Sequence, residues 1–120
     1  MNIWIADSSR RRIKLNKIIN KICSQCNVTV FNSPDELLSY PTDVCCNVFF
    51  VAADTPEFDW VKAVKHVKEH FKECNIIFYS NIELKQRDYL RFRISGFLQY
   101  PFDEQKVEHE LDNLRFTIKK

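Results

Sequence analysis

Two carboxylates, Asp7 and Asp54, follow apolar runs in this chain, and between them the run Asn47-Val48-Phe49-Phe50-Val51-Ala52 closes on a residue with no chemistry. Acidic groups gathered at strand ends can hold a hard divalent cation and, with it, accept a phosphoryl group. Alanine has no oxygen for either task. The groups around this gap are Ser8, Ser9, Arg10, Arg11 and Arg12 after Asp7, Thr55 and Pro56 after Asp54, Ser80-Asn81 after a fourth apolar run, and Tyr100-Pro101-Phe102-Asp103 after a fifth. Three arginines at the start of a helix oppose its dipole. Either they form a solvated basic turn, or one of them takes a cation's place beside Asp7 or contacts an anion.

The cysteines and histidines offer other chemistry. Cys23-Ser24-Gln25-Cys26 is a C-x-x-C, and Cys45-Cys46 and Cys74 complete an odd count of five. Four thiolates on one rim could hold zinc, but Cys23 also fits an apolar helical stripe, and buried thiols are common core residues. The C-x-x-C falls late in a helix, where the dipole raises a thiol pKa. Reduced thiols are therefore expected, and a zinc or redox protein is the lesser reading. His66 and His70 lie four apart on one helix face, with His109 on another helix. Without further ligands they read as surface side chains.

Five apolar runs position these groups: Asn2–Ala6, Val28–Phe31, Asn47–Ala52, Asn75–Ser80 and Gly96–Tyr100. The third and fourth are continuous, as strands covered on both faces should be. Between them lie helical patterns. The first runs from Ser9 to about Cys26, with Leu15, Ile18, Ile19, Ile22, Cys23 and Cys26 in one stripe. The second opens on Ser33-Pro34-Asp35-Glu36, a serine cap, a proline in the first turn and two acids at the positive end. The third carries Trp60, Val64, Val67 and Phe71; the fourth spans roughly Glu83 to Ile94; the fifth carries Val107, Leu111, Leu114 and Ile118. Five strand–helix alternations predict an α/β fold with a doubly wound, five-stranded parallel sheet, whose crevice opens at the carboxyl ends of the strands.

Composition agrees and excludes. At 120 residues the chain is one predicted domain, with 45% hydrophobic and 28% charged residues. A net charge of +2 does not argue for nucleic acid. No apolar run is long enough for a membrane span, and the amino terminus lacks the pattern of an export signal, so a cytoplasmic protein is expected. One glycine, Gly96, rules out glycine-rich phosphate loops.

Together, the strand-tip residues, the Pro56 spacing and the ending Tyr100-Pro101-Phe102-Asp103 resemble the receiver (CheY-like) domain of two-component response regulators. The resemblance is strongest to receivers that precede LytTR-type DNA-binding domains, and it covers essentially residues 1–120. It implies a flavodoxin-like (βα)5 fold with strand order 2-1-3-4-5. It also implies a mechanism in which an acidic pair and a third-strand aspartate hold Mg2+ while the aspartate takes the phosphoryl group. On that pattern Asp7 is the first acid and Ser8 stands for the second. Ala52 falls at the phosphorylated position, four before Pro56; Ser80 is the switch hydroxyl and Phe97 the switch aromatic; Tyr100 replaces the phosphate-pairing lysine ahead of Pro101, where a cis peptide is expected.

The reading is therefore a degenerate receiver, not an enzyme and without a cofactor. It would serve as a signalling or protein-interaction module in phosphorelay signalling or transcription regulation. The alternative is a phosphoaccepting regulator using Asp54 with Mg2+, against Asp54 as a loop acid capping the turn that follows. The resemblance further implies protein partners, including a homodimer through the fourth helix, fifth strand and fifth helix, with Lys85, Arg87, Tyr89, Arg91, Arg93, Gln99 and Glu108 on that face. No membrane contact is expected, and nucleic acid would be met only through an output domain outside this sequence.

Overall fold

The structure, a computed structural model, describes residues 1–55, 59–82 and 94–118. Pro56, the interface candidates Lys85, Arg87, Tyr89, Arg91 and Arg93, and all of the predicted fourth helix but Ile94 lie outside the described residues.

Five strands, β1 (Asn2–Ala6), β2 (Asn27–Phe31), β3 (Val48–Ala52), β4 (Asn75–Ser80) and β5 (Gly96–Gln99), form one parallel sheet in the order β2-β1-β3-β4-β5. This is the predicted topology. Among the described residues the helices are α1 (Arg11–Ile22), α2 (Pro34–Ser39), α3 (Trp60–His70) and α4 (Glu104–Asp112), the last being the fifth of the sequence prediction. None is long and apolar enough to cross a membrane.

Side chains alternate across the strands with a period of two, which sends the two halves of each strand to different cores. Trp4, Phe31, Phe49, Val51, Ile76 and Phe78 pack with Leu37 of α2 and Val64 and Val67 of α3. Ile3, Ile5, Phe50, Ala52, Ile77 and Tyr79 face the other way, against Leu15, Ile18 and Ile19 of α1 and Val107 of α4. All residues of β3 and β4 are buried, as their continuous apolar sequence predicts.

Caps set the ends of the helices. Ser33 accepts the Glu36 N–H, Asp59 the Lys62 N–H and Asp103 the Lys106 N–H, each satisfying a donor that the helix leaves open. Two predicted helices end early. The first stops at Ile22 because Cys23 leaves helical geometry (φ −140°, ψ 84°) and a turn closes between the Cys26 N–H and the Cys23 carbonyl. The last stops at Asp112. Beyond it the buried Asn75 side chain accepts the Phe116 N–H at 2.7 Å and donates to the Phe116 carbonyl at 2.9 Å, drawing the chain back to the sheet. Leu114 and Ile118 therefore join the α1-side core from the irregular segment after the helix.

Candidate functional site

The carboxyl ends of β1, β3 and β4 converge on Arg11. The buried stripe of α1, Leu15, Ile18 and Ile19, continues one turn back onto residue 11, at helical spacings of four, seven and eight. Of the three consecutive arginines, this one alone enters the sheet end. Its side chain is 9% exposed. Nη1 and Nη2 bind the two Asp54 oxygens at 3.0 and 2.7 Å, a bidentate fork. Nη1 also donates to Asn81 Oδ1 at 2.9 Å, and Nε lies 3.3 Å from Asp7 Oδ2. The guanidinium carbon sits 5.3 Å from the Tyr79 ring centroid. Arg10 is exposed, and Arg12 turns back to the Ser9 carbonyl at 2.6 Å.

Asp7 is completely buried and fully engaged. Oδ1 accepts the Ser9 N–H at 2.7 Å. Oδ2 accepts the Ser9 hydroxyl at 2.8 Å and the Tyr79 hydroxyl at 2.8 Å. Ser9 Oγ in turn accepts Arg11 Nε–H at 2.9 Å and the Arg11 main-chain N–H at 3.4 Å, so it builds the site and also meets the first residue of α1, whose N-cap residue Arg10 makes no side-chain cap. Burial raises the Tyr79 phenol well above its usual range, helped by the Asp7 charge and the hydrogen bond to it, so Tyr79 is a donor at all ordinary pH.

Asp54 accepts the Asn81 N–H at 2.8 Å in addition to the Arg11 fork. Burial pushes its pKa up, but the Arg11 hydrogen bonds, the Asn81 N–H and the guanidinium charge outweigh that and hold it below the ordinary carboxylate value. Arg11 mirrors this: burial lowers its pKa, while the Asp54 bonds and the charges of Asp7 and Asp54 raise it further. Asp54 is thus an ion-pair partner that tethers the β4 loop to α1; the turn that the sequence reading has it cap runs through Pro56, outside the described residues.

The other predicted residues are placed as follows. Ala52 is completely buried at the end of β3, paired in register with Tyr79. The Ser80 hydroxyl is buried and donates to the Ile82 carbonyl. Phe97 packs on the α2–α3 side of the sheet. Tyr100 precedes a cis peptide to Pro101, and its ring meets Phe102 edge-on at 5.3 Å, with Lys14 Nζ 5.3 Å away. Ser8 is partly exposed beside Asp7, and Gln99 and Glu108 are exposed. An open cleft of about 390 Å³ remains outside Arg11, lined by Ser9, Arg10, Lys14, Asp54, Asn81 and Tyr100 among others.

This arrangement does not fit the Mg2+ that a receiver fold implies. A hard cation needs several free oxygens in near-octahedral array. Here Asp7 is completely buried and held by two hydroxyl donors, an amide donor and the neighbouring guanidinium charge, Ser8 is neutral, and Ala52 supplies nothing. Among the described residues no group of three or more His, Cys, Asp or Glu side chains converges on a metal position.

In the sequence reading Tyr79 is unnamed and Asn81 stands at a strand end without a partner. Tyr79 looks like one more apolar residue of β4, yet two-residue alternation aligns it with Ala52 and Asp7 at the strand ends. Asn81 binds Asp54 through its main chain as well as Arg11 through its side chain, and residue type does not signal a main-chain contact. Tyr79→Phe keeps the ring but leaves buried Asp7 short of one donor. The expected cost is about 1–3 kcal/mol, read as a lower denaturant midpoint at unchanged slope; a shift corresponding to under about 0.5 kcal/mol would mean the hydroxyl contributes little.

The cysteines contradict the expectation that all five thiols are reduced. Cys23 and Cys26 are joined in a disulfide, with Cα atoms 5.5 Å apart, rather than reduced. The turn after α1 supplies a separation inside the range such a bond requires. The four-thiolate rim does not assemble. Cys26 is bonded to Cys23, Cys46 and Cys74 are buried with sulfurs 3.6 Å apart, and Cys45 is exposed. His70 is exposed and its ring nitrogen meets the His66 carbonyl at 2.9 Å, while His66 is half-buried.

No protein-family model and no curated protein sequence matches this chain. Solved structures do. The chemotaxis response regulator CheY4 of Vibrio cholerae is similar at a TM-score of 0.78 and 16% identity, over 92% of this chain and 95% of that one. RcsB of Salmonella enterica serovar Typhimurium, bound to promoter rprA with a phosphomimetic, is similar at 0.76 and 20% identity, over 98% and 69%. The signal receiver domain of a modulated diguanylate cyclase from Desulfovibrio desulfuricans is similar at 0.76 and 16% identity, over 92% and 90%. At these identities the likeness establishes the CheY-like, flavodoxin-like fold.

Proposed function

We propose that this chain is a degenerate receiver domain, of the kind found ahead of LytTR-type DNA-binding domains. It would work in the cytoplasm as a protein-interaction module of two-component signalling. The observation that carries the reading is the Arg11–Asp54 fork beside a buried Asp7 that three hydrogen bonds already hold. In a phosphoaccepting site the cation is exchangeable and the acceptor oxygen is free to attack. Here the positive charge is covalently part of α1, and Ala52 stands at the end of β3. The contacts that a phosphoryl group would have to create between the β1, β3 and β4 loops already exist through Arg11, Asp54 and Asn81. Such a domain holds one switch state permanently, and its partners read a fixed surface. Protein partners, including a second copy through the β5–α4 face with Gln99 and Glu108, would then be governed by concentration and not by phosphorylation.

One observation favours the alternative. Asp54 is the acid that borders the open cleft, with its side chain 15% exposed. Acetyl phosphate or beryllofluoride with Mg2+ separates the two readings. The expected result is an unchanged intact mass and unchanged amide spectra. A stoichiometric phosphoryl adduct on Asp54, absent from Asp54→Asn, would establish the phosphoaccepting regulator instead.

A further inference from the structure

The Cys23–Cys26 disulfide lies at the opposite end of α1 from Arg11, on the rim formed by the amino ends of the strands. Both half-cystines are partly exposed. They line a cleft of about 620 Å³ with Met1, Leu111, Leu114 and Ile118, so a small reductant can reach them. The remaining cysteines differ. Cys46 and Cys74 are 1% exposed, and burial, then the neighbouring Cys74, pushes the Cys46 thiol well above its usual range, which leaves it unreactive.

We propose that Cys23 and Cys26 are a reversible thiol–disulfide switch that controls the seam between α1 and the segment following α4. Three observations support it. The bond closes a ring with only two residues between the cysteines, and short rings restrict the unfolded chain least, so both redox states can fold. The bond also immobilises the turn that leads from α1 into β2, where the Cys23 N–H meets the Ile19 carbonyl and the Cys26 N–H meets the Cys23 carbonyl. Finally, Ile22, Cys26, Leu111, Leu114 and Ile118 all pack at the margin of the same core, so freeing the turn loosens one wall of the cleft.

The chemistry is ordinary exchange. A thiolate of a dithiol reductant attacks one sulfur, the Cys23–Cys26 bond breaks, and a mixed disulfide forms. The second reductant thiol closes on it. Two electrons pass to the protein, both cysteine sulfurs leave as thiols after protonation, and the reductant departs as a disulfide. This inference does not depend on whether the Asp7 cleft accepts phosphate.

Maleimide footprinting with hydrogen exchange tests it. In oxidised protein, Cys45 alone should label. After a dithiol reductant Cys23 and Cys26 should label as well, with Cys46 and Cys74 unlabelled until denaturation. Amide exchange should rise at least several-fold across 20–28 and 111–118 and stay unchanged across 75–80. Cys23→Ser with Cys26→Ser should show the raised exchange with or without reductant. Labelling of Cys23 and Cys26 after treatment with an oxidised dithiol would overturn the proposal by showing that the bond does not form. Equal exchange in both redox states would overturn it, and so would reduction that unfolds the whole chain, which would make the bond a structural staple.

Discussion

Arg11→Met should cost about 3–5 kcal/mol of stability, among the largest losses for a single change in this chain. Methionine keeps an apolar stem of similar length and removes the guanidinium, with its charge, its donors and its place at the Tyr79 ring. What remains is unfavourable: Asp7 is buried without its neighbouring cation, and Asp54 loses a bidentate partner while keeping the Asn81 N–H. Breaking one side of a buried pair leaves the other charge uncompensated, which costs more than the pair contributed. Urea denaturation measures the loss, and a value below about 1 kcal/mol would reduce the fork to an ordinary surface ion pair.

Acid dependence gives a second readout of the same substitution. Asp54 has a folded pKa below its unfolded one. Its contribution is therefore complete above the unfolded carboxylate value, about pH 4, and disappears as pH falls through the lower folded value. Wild-type stability should show this loss below about pH 4, and Arg11→Met should show less of it, since the cation that lowers the pKa is gone. An unchanged acid limb would mean that Asp54 is held by the Asn81 N–H alone.

Trp4→Ala should cost a similar amount, about 3–5 kcal/mol, for an unrelated reason. Trp4 is 2% exposed on the α2–α3 side of the sheet. Its ring meets Phe31 at 5.3 Å, Tyr40 at 5.3 Å and Phe71 at 5.6 Å, each edge-on. Removing it leaves a cavity among three aromatic rings that belong to different elements, so the void cannot collapse without moving β2 or α3. The two substitutions act on opposite faces. Their effects should add to within about 0.5 kcal/mol in the double variant, whereas Arg11→Met and Asp54→Asn, which share one contact, should be strongly non-additive.

The alternation of strands and helices is legible because the central strands carry their burial in their own composition. Val48–Ala52 and Asn75–Ser80 are continuous apolar runs, and a run of that kind has few other folds to join. The Ser33 cap was equally local. The weaker readings fell where distant partners decide the outcome. The last helix extended too far on paper because Leu114 and Ile118 keep helical spacing, yet Asn75, some forty residues earlier, binds Phe116 and ends the helix. The disulfide was missed because helical periodicity carried α1 through Cys23, while the chain turns there.

The loss of an oxygen at residue 52 is a fact of covalent chemistry, and one dimension suffices to know it. The roles of Arg11, Tyr79 and Asp54 are of another kind. Three adjacent arginines have the same side chain, and only the rotation of α1 against the sheet selects the middle one to reach Asp54, 43 positions away. Tyr79 finds Asp7 across 72 positions because β1 and β4 both flank β3. Residue identity states which groups can donate, accept or carry charge. Packing decides which of them meet, since the burial that makes such a meeting strong exists only once the chain has folded.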